Sequence, residues 1–160
     1  MPAFALGRYE GALRTAIVAM KRGERDPLDA FADLLAASAP PLDGVLVPLP
    51  TSRHRAAERG FDQSAELARR LAARRGIAFA ELLRKRGPAQ EGRDRARRLA
   101  AADRFRLRRG AALPASATLL DDVCTTGATA TDAVRVLREA GVAVRRIVFV
   151  ARTDAARTER

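Results

Sequence analysis

Two adjacent carboxylates, Asp121 and Asp122, directly follow a short apolar run and precede a loop of small residues. The whole stretch is Ala117-Thr118-Leu119-Leu120-Asp121-Asp122-Val123-Cys124-Thr125-Thr126-Gly127-Ala128-Thr129. A protein core does not tolerate unpartnered carboxylates. The pair is therefore expected at the carboxyl edge of a sheet, where open α/β folds bind their ligands. Carboxylates in that place can hold sugar hydroxyls.

The loop after the carboxylates has Gly127 at its centre and leads into a helical pattern. Backbone N–H groups and the positive end of a helix can hold a phosphate there. The hydroxyls of Thr125, Thr126 and Thr129 can donate to the same phosphate. Carboxylates and loop together predict a site for a ribose 5-phosphate group.

Three other interpretations of this stretch compete with a ribose 5-phosphate site. A strand ending in Asp-Asp is also typical of the Mg²⁺-binding strand of a P-loop NTPase. However, Lys21 and Lys85 are each followed by arginine, so Gly-Lys-Ser/Thr is absent. The Thr/Gly loop could also be a capped loop without a ligand, although the preceding carboxylates favour a site. Cys124 could be a nucleophile, but the sequence identifies no partner base.

Hydrophobic periodicity predicts the elements that position these residues. The first forty residues predict two helices, one ending near Gly23 and one ending before Pro40. Their apolar positions are Leu13, Ala16, Ile17 and Met20 in the first and Leu28, Phe31, Leu34 and Leu35 in the second. Residues 44–47 predict a buried parallel strand closed by prolines.

The remainder of the chain continues the α/β alternation. Residues 62–75 predict a helix with Asp62 as N-cap and Gly76 after its end. Residues 77–83 predict a strand. Residues 87–110 predict an Arg-rich loop or ribbon, in which Phe105 and Leu107 are candidate strand contacts. A strand from residue 117, a helix ending at Gly141 and a strand over residues 144–150 form a βαβ unit. The sheet should therefore be mostly parallel. The chain is too short for an eight-stranded α/β barrel.

Composition excludes several classes of protein. The chain has 160 residues, which suits one domain, and 48% of them are hydrophobic, which is enough for a core. A single cysteine excludes a disulfide framework and a cysteine-rich metal site within this sequence. No apolar stretch is long enough for a membrane span and no secretory signal is evident, so we expect a cytoplasmic protein without membrane insertion.

The formal net charge of +11 favours a polyanionic partner such as phosphate, a nucleotide or nucleic acid. A high arginine content can also result from the base composition of the genome, and that explanation of the charge stays open. The excess lies mainly in residues 84–109 and 53–75. The stretch from Ala117 to Thr129 contains no cation, so a phosphate there would be held by backbone amides.

The same stretch resembles the phosphoribosyl pyrophosphate (PRPP) signature of type I phosphoribosyltransferases. More narrowly, the chain resembles the ComF family of competence-associated phosphoribosyltransferase-like proteins. That family has a Pro-Val-Pro-type strand end, a basic stretch and an Arg-Gly-Phe-Asn-Gln block. The matching residues are Pro48-Leu49-Pro50, Arg53-His54-Arg55 and Arg59-Gly60-Phe61-Asp62-Gln63. Lys21 also fits the family's helix that ends in Leu-Lys-aromatic, although the sequence here is Met20-Lys21-Arg22.

The sequence departs from the family pattern in three places. Asp62 replaces the usual Asn, and the family's Arg-Asn-Val element reads Arg98-Leu99-Ala100-Ala101. Many members also begin with a four-cysteine zinc module, for which this sequence has no cysteines. The first two departures bear on the second substrate more than on PRPP.

The resemblance implies a type I phosphoribosyltransferase fold, with a mostly parallel central sheet flanked by helices and an Arg-rich flexible flap. It implies one domain over residues 1–160, with N-terminal helices in 1–43, a PRPP-binding α/β core in 44–154 and a tail in 155–160.

By the same resemblance, Asp121 and Asp122 bind the ribose 2′- and 3′-hydroxyls, directly or through Mg²⁺. The expected Mg²⁺ is held mainly by PRPP itself. The 5′-phosphate site consists of Thr125, Thr126, Gly127, Ala128 and Thr129, and the pyrophosphate loop of Thr51, Ser52, Arg53 and Arg55. Arg59 joins Asp121 and Asp122 as a candidate catalytic residue, because a guanidinium can neutralise charge developing on pyrophosphate. Solvated surface arginines are the alternative.

Two further features have open interpretations. His54 lies between two arginines and is either a general acid or an exposed bystander. Gln90, Arg95 and Arg98 lie where type I enzymes have a mobile flap that excludes water from the reaction. An Arg-rich disordered loop is the other interpretation of that segment.

The expected activity is transfer of 5-phosphoribose from PRPP to a nitrogenous acceptor that the sequence does not specify, with release of pyrophosphate and a link to competence and DNA uptake. The alternative is a non-catalytic PRPP- or nucleotide-sensing protein that binds single-stranded DNA and works with competence proteins. Six Phe, one Tyr and no Trp offer few platforms for base stacking.

Overall fold

In the described residues, four parallel strands form the central sheet, and helices and a two-stranded ribbon cover it. The computed structural model describes residues 1–52, 56–58, 60–85 and 104–154. In chain order the elements are β1 (Ala3–Arg8), α1 (Gly11–Lys21), α2 (Asp26–Ser38), β2 (Val45–Pro48), α3 (Gln63–Arg75), β3 (Leu83–Lys85), β4 (Phe105–Leu107), β5 (Ser116–Cys124), α4 (Ala128–Glu139) and β6 (Ala143–Arg152).

The strand order of the sheet is β1-β6-β5-β2. β2 lies beside β5 with Val45 opposite Ala117, and β1 lies beside β6 with Ala3 opposite Ile147. Every pairing in this sheet is parallel, as the βαβ pattern predicts. β3 and β4 pair antiparallel as a separate ribbon. The predicted Phe105 and Leu107 strand contacts are confirmed.

Two apolar layers sandwich the sheet. On one face Leu46, Leu120 and Val148 pack against α1, α2 and α3. On the other face Leu119 and Phe149 pack against α4 and the β3–β4 ribbon. Because both faces are covered, the strands are apolar on both sides, which explains their near-continuous hydrophobic runs.

The predicted helices are confirmed. The carboxylate of Asp62 accepts a hydrogen bond from the Ala65 backbone N–H at 3.2 Å, so it caps α3. Gly76 ends α3 with a φ of 63°, a left-handed conformation that glycine adopts without strain. The prediction for Leu34 is wrong, because its side chain is 51% exposed while Phe31 and Leu35 are buried.

Three features differ from the sequence prediction. The first forty residues contain β1 as well as two helices. The residues of β1 are not β-branched, so its strand conformation reflects pairing with β6 rather than local propensity. Residues 77–82 form no regular strand and contribute one isolated parallel bridge, between Phe79 and Leu46. β5 also runs past the carboxylates to Cys124 instead of ending at them.

Several predicted site residues lie outside the described residues. They are Arg53, His54, Arg55, Arg59, Gln90, Arg95 and Arg98. Within the described part of the chain, no helix combines the length and the hydropathy needed to span a bilayer.

Candidate functional site

A cavity of about 200 Å³ opens where the carboxyl ends of β2 and β5 meet the first turns of α3 and α4. Chain segments that are distant in sequence converge on it. Its lining residues are Lys21, Leu49, Pro50, Thr51, Gln63, Ser64, Lys85, Asp121, Asp122, Val123 and Thr129. The structure thus brings together Thr51, Asp121, Asp122 and Thr129, which the sequence assigned to one site.

The two carboxylates have different partners. Asp121 accepts a hydrogen bond from the backbone N–H of Asp122 at 2.9 Å, and Asp122 accepts one from the backbone N–H of Val123 at 2.6 Å. Asp122 also forms an ion pair with the Lys21 ammonium, at 3.0 Å between Nζ and Oδ2. These partners explain how two adjacent acids are accommodated beside the core.

The environment of Asp121 perturbs its protonation. Burial and, second, the charge of Asp122 together raise the pKa of Asp121 to about 8, although the Asp122 backbone N–H, Lys21 and Lys85 act in the opposite direction. At neutral pH the Asp121 carboxyl therefore holds a proton. It can donate one hydrogen bond and accept another, whereas an ionised carboxylate only accepts.

Lys21 reaches the site because the end of α1 is fixed to the start of α3. The buried Gln63 side chain donates from Nε2 to the Met20 carbonyl at 2.9 Å. In the sequence, Lys21 was identified only as part of a family motif, with no predicted role. Lys85, at the end of β3, was likewise missed because its position depends on the ribbon.

The turn after β2 is tied to α3 through Asp62. Its Oδ2 accepts from the Thr51 backbone N–H at 2.9 Å while its Oδ1 caps the helix at Ala65. One asparagine oxygen could not replace both carboxylate oxygens, so the aspartate at this position has a structural reason. Thr51 and Ser52 are the described part of the predicted pyrophosphate loop.

The loop before α4 has the form expected of an anion site. Gly127 precedes the helix with a φ of 75°, which favours glycine, and no acidic residue lies in the first turn. The Thr126 hydroxyl accepts from the Ala128 backbone N–H at 3.4 Å. Thr129 faces the cavity. The positive end of α4 is therefore not neutralised by its own first turn.

The donor set does not favour a metal ion bound by protein alone. Across the described ranges, no cluster of three or more His, Cys, Asp or Glu side chains could hold one. Asp121 holds a proton at neutral pH, and Asp122 is paired with Lys21. A Mg²⁺ ion at this site therefore needs oxygen donors from its ligand, as a diphosphate would supply.

Cys124 lies at the end of β5, next to the same loop. Burial raises the pKa of its thiol, and the Asp121 charge adds to that effect. The thiolate is the nucleophilic form of cysteine. Its suppression at neutral pH argues against Cys124 as a nucleophile.

The arginines of α3 are engaged away from the cavity. Arg70 forms ion pairs with Asp29 and Glu66, and Arg74 forms them with Asp29 and Asp33. Hydrogen bonds from Arg74 and then Arg70 lower the pKa of Asp29. This part of the basic 53–75 segment therefore joins α2 to α3.

No family model matches the chain. In sequence, it is similar to the competence protein ComFC of Streptococcus pneumoniae, with 35% identity over 96 residues. That alignment covers 59% of this chain and 42% of ComFC, so it spans less than half of the relative. The resemblance identified from the sequence motifs is thereby confirmed.

Solved structures show the fold. The orotate phosphoribosyltransferase of Aeropyrum pernix matches with a TM-score of 0.51 and 17% identity, covering 83% of this chain and 64% of that one. The adenine phosphoribosyltransferase of Thermoanaerobacter pseudethanolicus matches with a TM-score of 0.51 and 20% identity, covering 81% and 71%. The chain has the type I phosphoribosyltransferase fold, as predicted.

Proposed function

We propose that this chain is a phosphoribosyltransferase that binds PRPP in the cavity at the carboxyl ends of β2 and β5. It transfers 5-phosphoribose to a nitrogenous acceptor. One observation carries the proposal: two adjacent carboxyls, the turn after β2 and the positive end of α4 meet at a single cavity in this fold. Asp121, Asp122, Thr51 and Thr129 contribute those groups.

Each group of the cavity suits one part of PRPP. Asp121 and Asp122 bind the ribose hydroxyls, since a protonated and an ion-paired carboxyl together offer a donor and several acceptors. Residues 125–129 bind the 5′-phosphate through backbone N–H groups and hydroxyls. The pyrophosphate lies along Thr51 and Ser52, with Lys21 and Lys85 lining the same cavity.

In the proposed reaction the bond between C1′ and a pyrophosphate oxygen breaks, and its electron pair leaves with pyrophosphate. The acceptor nitrogen supplies the electron pair of the new C1′–N bond and releases its proton to solvent. Lys21 and Lys85 stabilise the charge that develops on the leaving group. Arg53, Arg55 and Arg59 have the same proposed role, although they lie outside the described residues. Mg²⁺ bound to the diphosphate oxygens would neutralise further charge on the leaving group.

A link to competence comes from the ComFC relative by name. The non-catalytic, single-stranded-DNA-binding alternative has less support, because Arg70 and Arg74 pair with carboxylates and are not free to bind a phosphate backbone. A salt titration of single-stranded DNA binding, with and without PRPP and Mg²⁺, separates the two functions. A steep salt dependence with competition by PRPP would favour the DNA role.

The direct test is calorimetry of PRPP with Mg²⁺ on the wild type and on the double variant Asp121→Asn, Asp122→Asn. We expect the wild type to bind and the double variant to lose binding, because both carboxyl contacts to the ribose are altered. Asp43→Asn, an exposed aspartate before β2, is the matched control and should bind normally. Unchanged binding by the folded double variant refutes the assignment. Pyrophosphate release in the presence of a panel of bases then identifies the acceptor.

A further inference from the structure

The proposed 5′-phosphate site has a cation that its own sequence segment does not contain. The stretch from Ala117 to Thr129 holds two acids and no Lys or Arg. In the folded chain, Arg104 donates from Nη1 to the Thr129 hydroxyl oxygen at 2.9 Å. A guanidinium therefore lies at the first turn of α4, beside the loop that would hold the phosphate.

The guanidinium of Arg104 is available to a ligand. Its residue is exposed, and among residues 1–52, 56–58, 60–85 and 104–154 no carboxylate pairs with its side chain. The arginines of α3 differ in this respect, since Arg70 and Arg74 are held by acids. Among the described residues, the hydrogen bond of the Arg104 guanidinium is to the neutral hydroxyl of Thr129, which a phosphate oxygen can replace or share.

A buried carboxylate fixes Arg104 relative to α4. The Asp132 Oδ2 accepts from the backbone N–H groups of Arg104 and Phe105, at 2.6 and 3.1 Å. Arg135 donates to the other oxygen at 2.7 Å, and the Asp132 side chain is only 1% exposed. Phe105 is buried in the core under α4.

This anchoring matters because Asp132 lies on α4, the helix whose first turn borders the proposed phosphate loop. Arg104 and that loop are thus attached to the same helix. A side chain positioned before the ligand arrives loses less conformational freedom on binding. A planar guanidinium also matches the geometry of phosphate oxygens.

We propose that Arg104, the residue directly before β4, is a binding residue for the 5′-phosphate and supplies the positive charge that the stretch from Ala117 to Thr129 lacks. The inference rests on the proposed function, because it assigns the phosphate to residues 125–129. Arg104 acts on binding of the phosphoribosyl group and takes no part in bond breaking. Asp132 is its positioning residue.

The competing explanation is that Arg104 is only a latch, which holds the β3–β4 ribbon to α4 through Thr129. A latch would need the hydrogen bond to Thr129 and no positive charge. A phosphate-binding residue needs the charge. Arg104→Gln separates the two, since glutamine retains a donor and loses the charge.

The experiment is calorimetry with ribose 5-phosphate, PRPP and magnesium pyrophosphate on the full chain. We expect Arg104→Ala and Arg104→Gln each to lower the affinity for ribose 5-phosphate and for PRPP by roughly tenfold to a hundredfold, because a charge-assisted contact is lost. For each variant the factor should be the same for the two ligands. Magnesium pyrophosphate, which has no 5′-phosphate, should bind as it does to the wild type. Arg106→Ala removes an equal charge from an exposed position on β4 and should change nothing.

Other outcomes overturn the inference in distinguishable ways. Wild-type affinity of Arg104→Gln for ribose 5-phosphate, or equal weakening of all three ligands by Arg104→Ala, would identify a latch and leave the proposed function intact. If Arg104→Ala does not fold, Arg104→Gln alone decides between charge and latch. Absence of PRPP and ribose 5-phosphate binding by the wild type removes the proposed function itself, and the inference with it.

Discussion

Replacing Asp121 by asparagine should stabilise the fold in a way that depends on pH. Burial, and then the charge of Asp122, raises the pKa of Asp121 from its ordinary value of 3.8 to about 8. Between those pH values the folded chain holds a proton that the unfolded chain has released. The free energy of unfolding of the wild type therefore falls as pH rises through this range. An asparagine does not titrate, so Asp121→Asn lacks this contribution.

The size of the effect follows from proton linkage. One proton contributes at most about 1.4 kcal/mol per pH unit. Raising the pH by about two units therefore lowers the unfolding free energy of the wild type by up to about 2.7 kcal/mol relative to that of the variant. Asp121 borders an open cavity, and the solvent there reduces the difference. We expect about 1–2 kcal/mol between about pH 5.5 and about pH 7.5.

Urea unfolding of the wild type, Asp121→Asn and Asp43→Asn at several pH values measures this difference. The stability gain of Asp121→Asn over the wild type should widen as pH rises and level off above about pH 8. Asp43→Asn controls for loss of a carboxylate at an exposed position. If the gain of Asp121→Asn is the same at every pH, Asp121 is ionised throughout, and the assignment of a proton to it is wrong.

Two other substitutions test the contacts around the cavity. Lys21→Met removes a cation that lowers the pKa of Asp121 against the larger effect of burial. In the same urea series, the free energy of unfolding of this variant should level off at a higher pH than that of the wild type, and identical profiles would show that Lys21 does not affect the Asp121 pKa. Asp62→Ala deletes the acceptor for two backbone N–H groups, at Thr51 and Ala65, and should lower the unfolding free energy by about 1–2 kcal/mol. Asp62→Asn keeps one oxygen and should lose less; equal losses in the two variants would show that only one of the two bonds matters.

The sequence predicted the structure best where residues of distinctive chemistry directly adjoin a regular hydrophobic pattern. The acids, the Gly127 loop and the apolar strands on either side of α4 are local patterns, and their βαβ arrangement follows from chain order. The caps of α3, Asp62 and Gly76, were likewise predictable from residue type. These features set the fold and the edge at which the cavity lies.

Contacts between segments that are distant in sequence could not be predicted from local residue patterns. The Lys21–Asp122 ion pair and the Arg104–Thr129 hydrogen bond depend on how α1 and β4 pack, which neither spacing nor composition encodes. β1 lacks the β-branched residues that mark strands, so tertiary pairing overrides its weak propensity. The charge of residues 53–75 predicted a free basic surface for a related reason, because Asp29 of α2 pairs with Arg70 and Arg74 in addition to the Glu66 partner within α3.

The pairing of β1 with β6 also orders the events of biosynthesis. In the described part of the chain, β1 lies at one edge of the sheet and pairs with β6, about 140 residues further along the chain. A ribosome adds about 5–20 residues per second, so β1 waits on the order of ten seconds before its partner exists. During that time its backbone donors and acceptors have no strand to bind. β1 can therefore pair only once β6 has been made, whereas both strands of the β2–β5 pair already exist in a nascent chain stalled before residue 143.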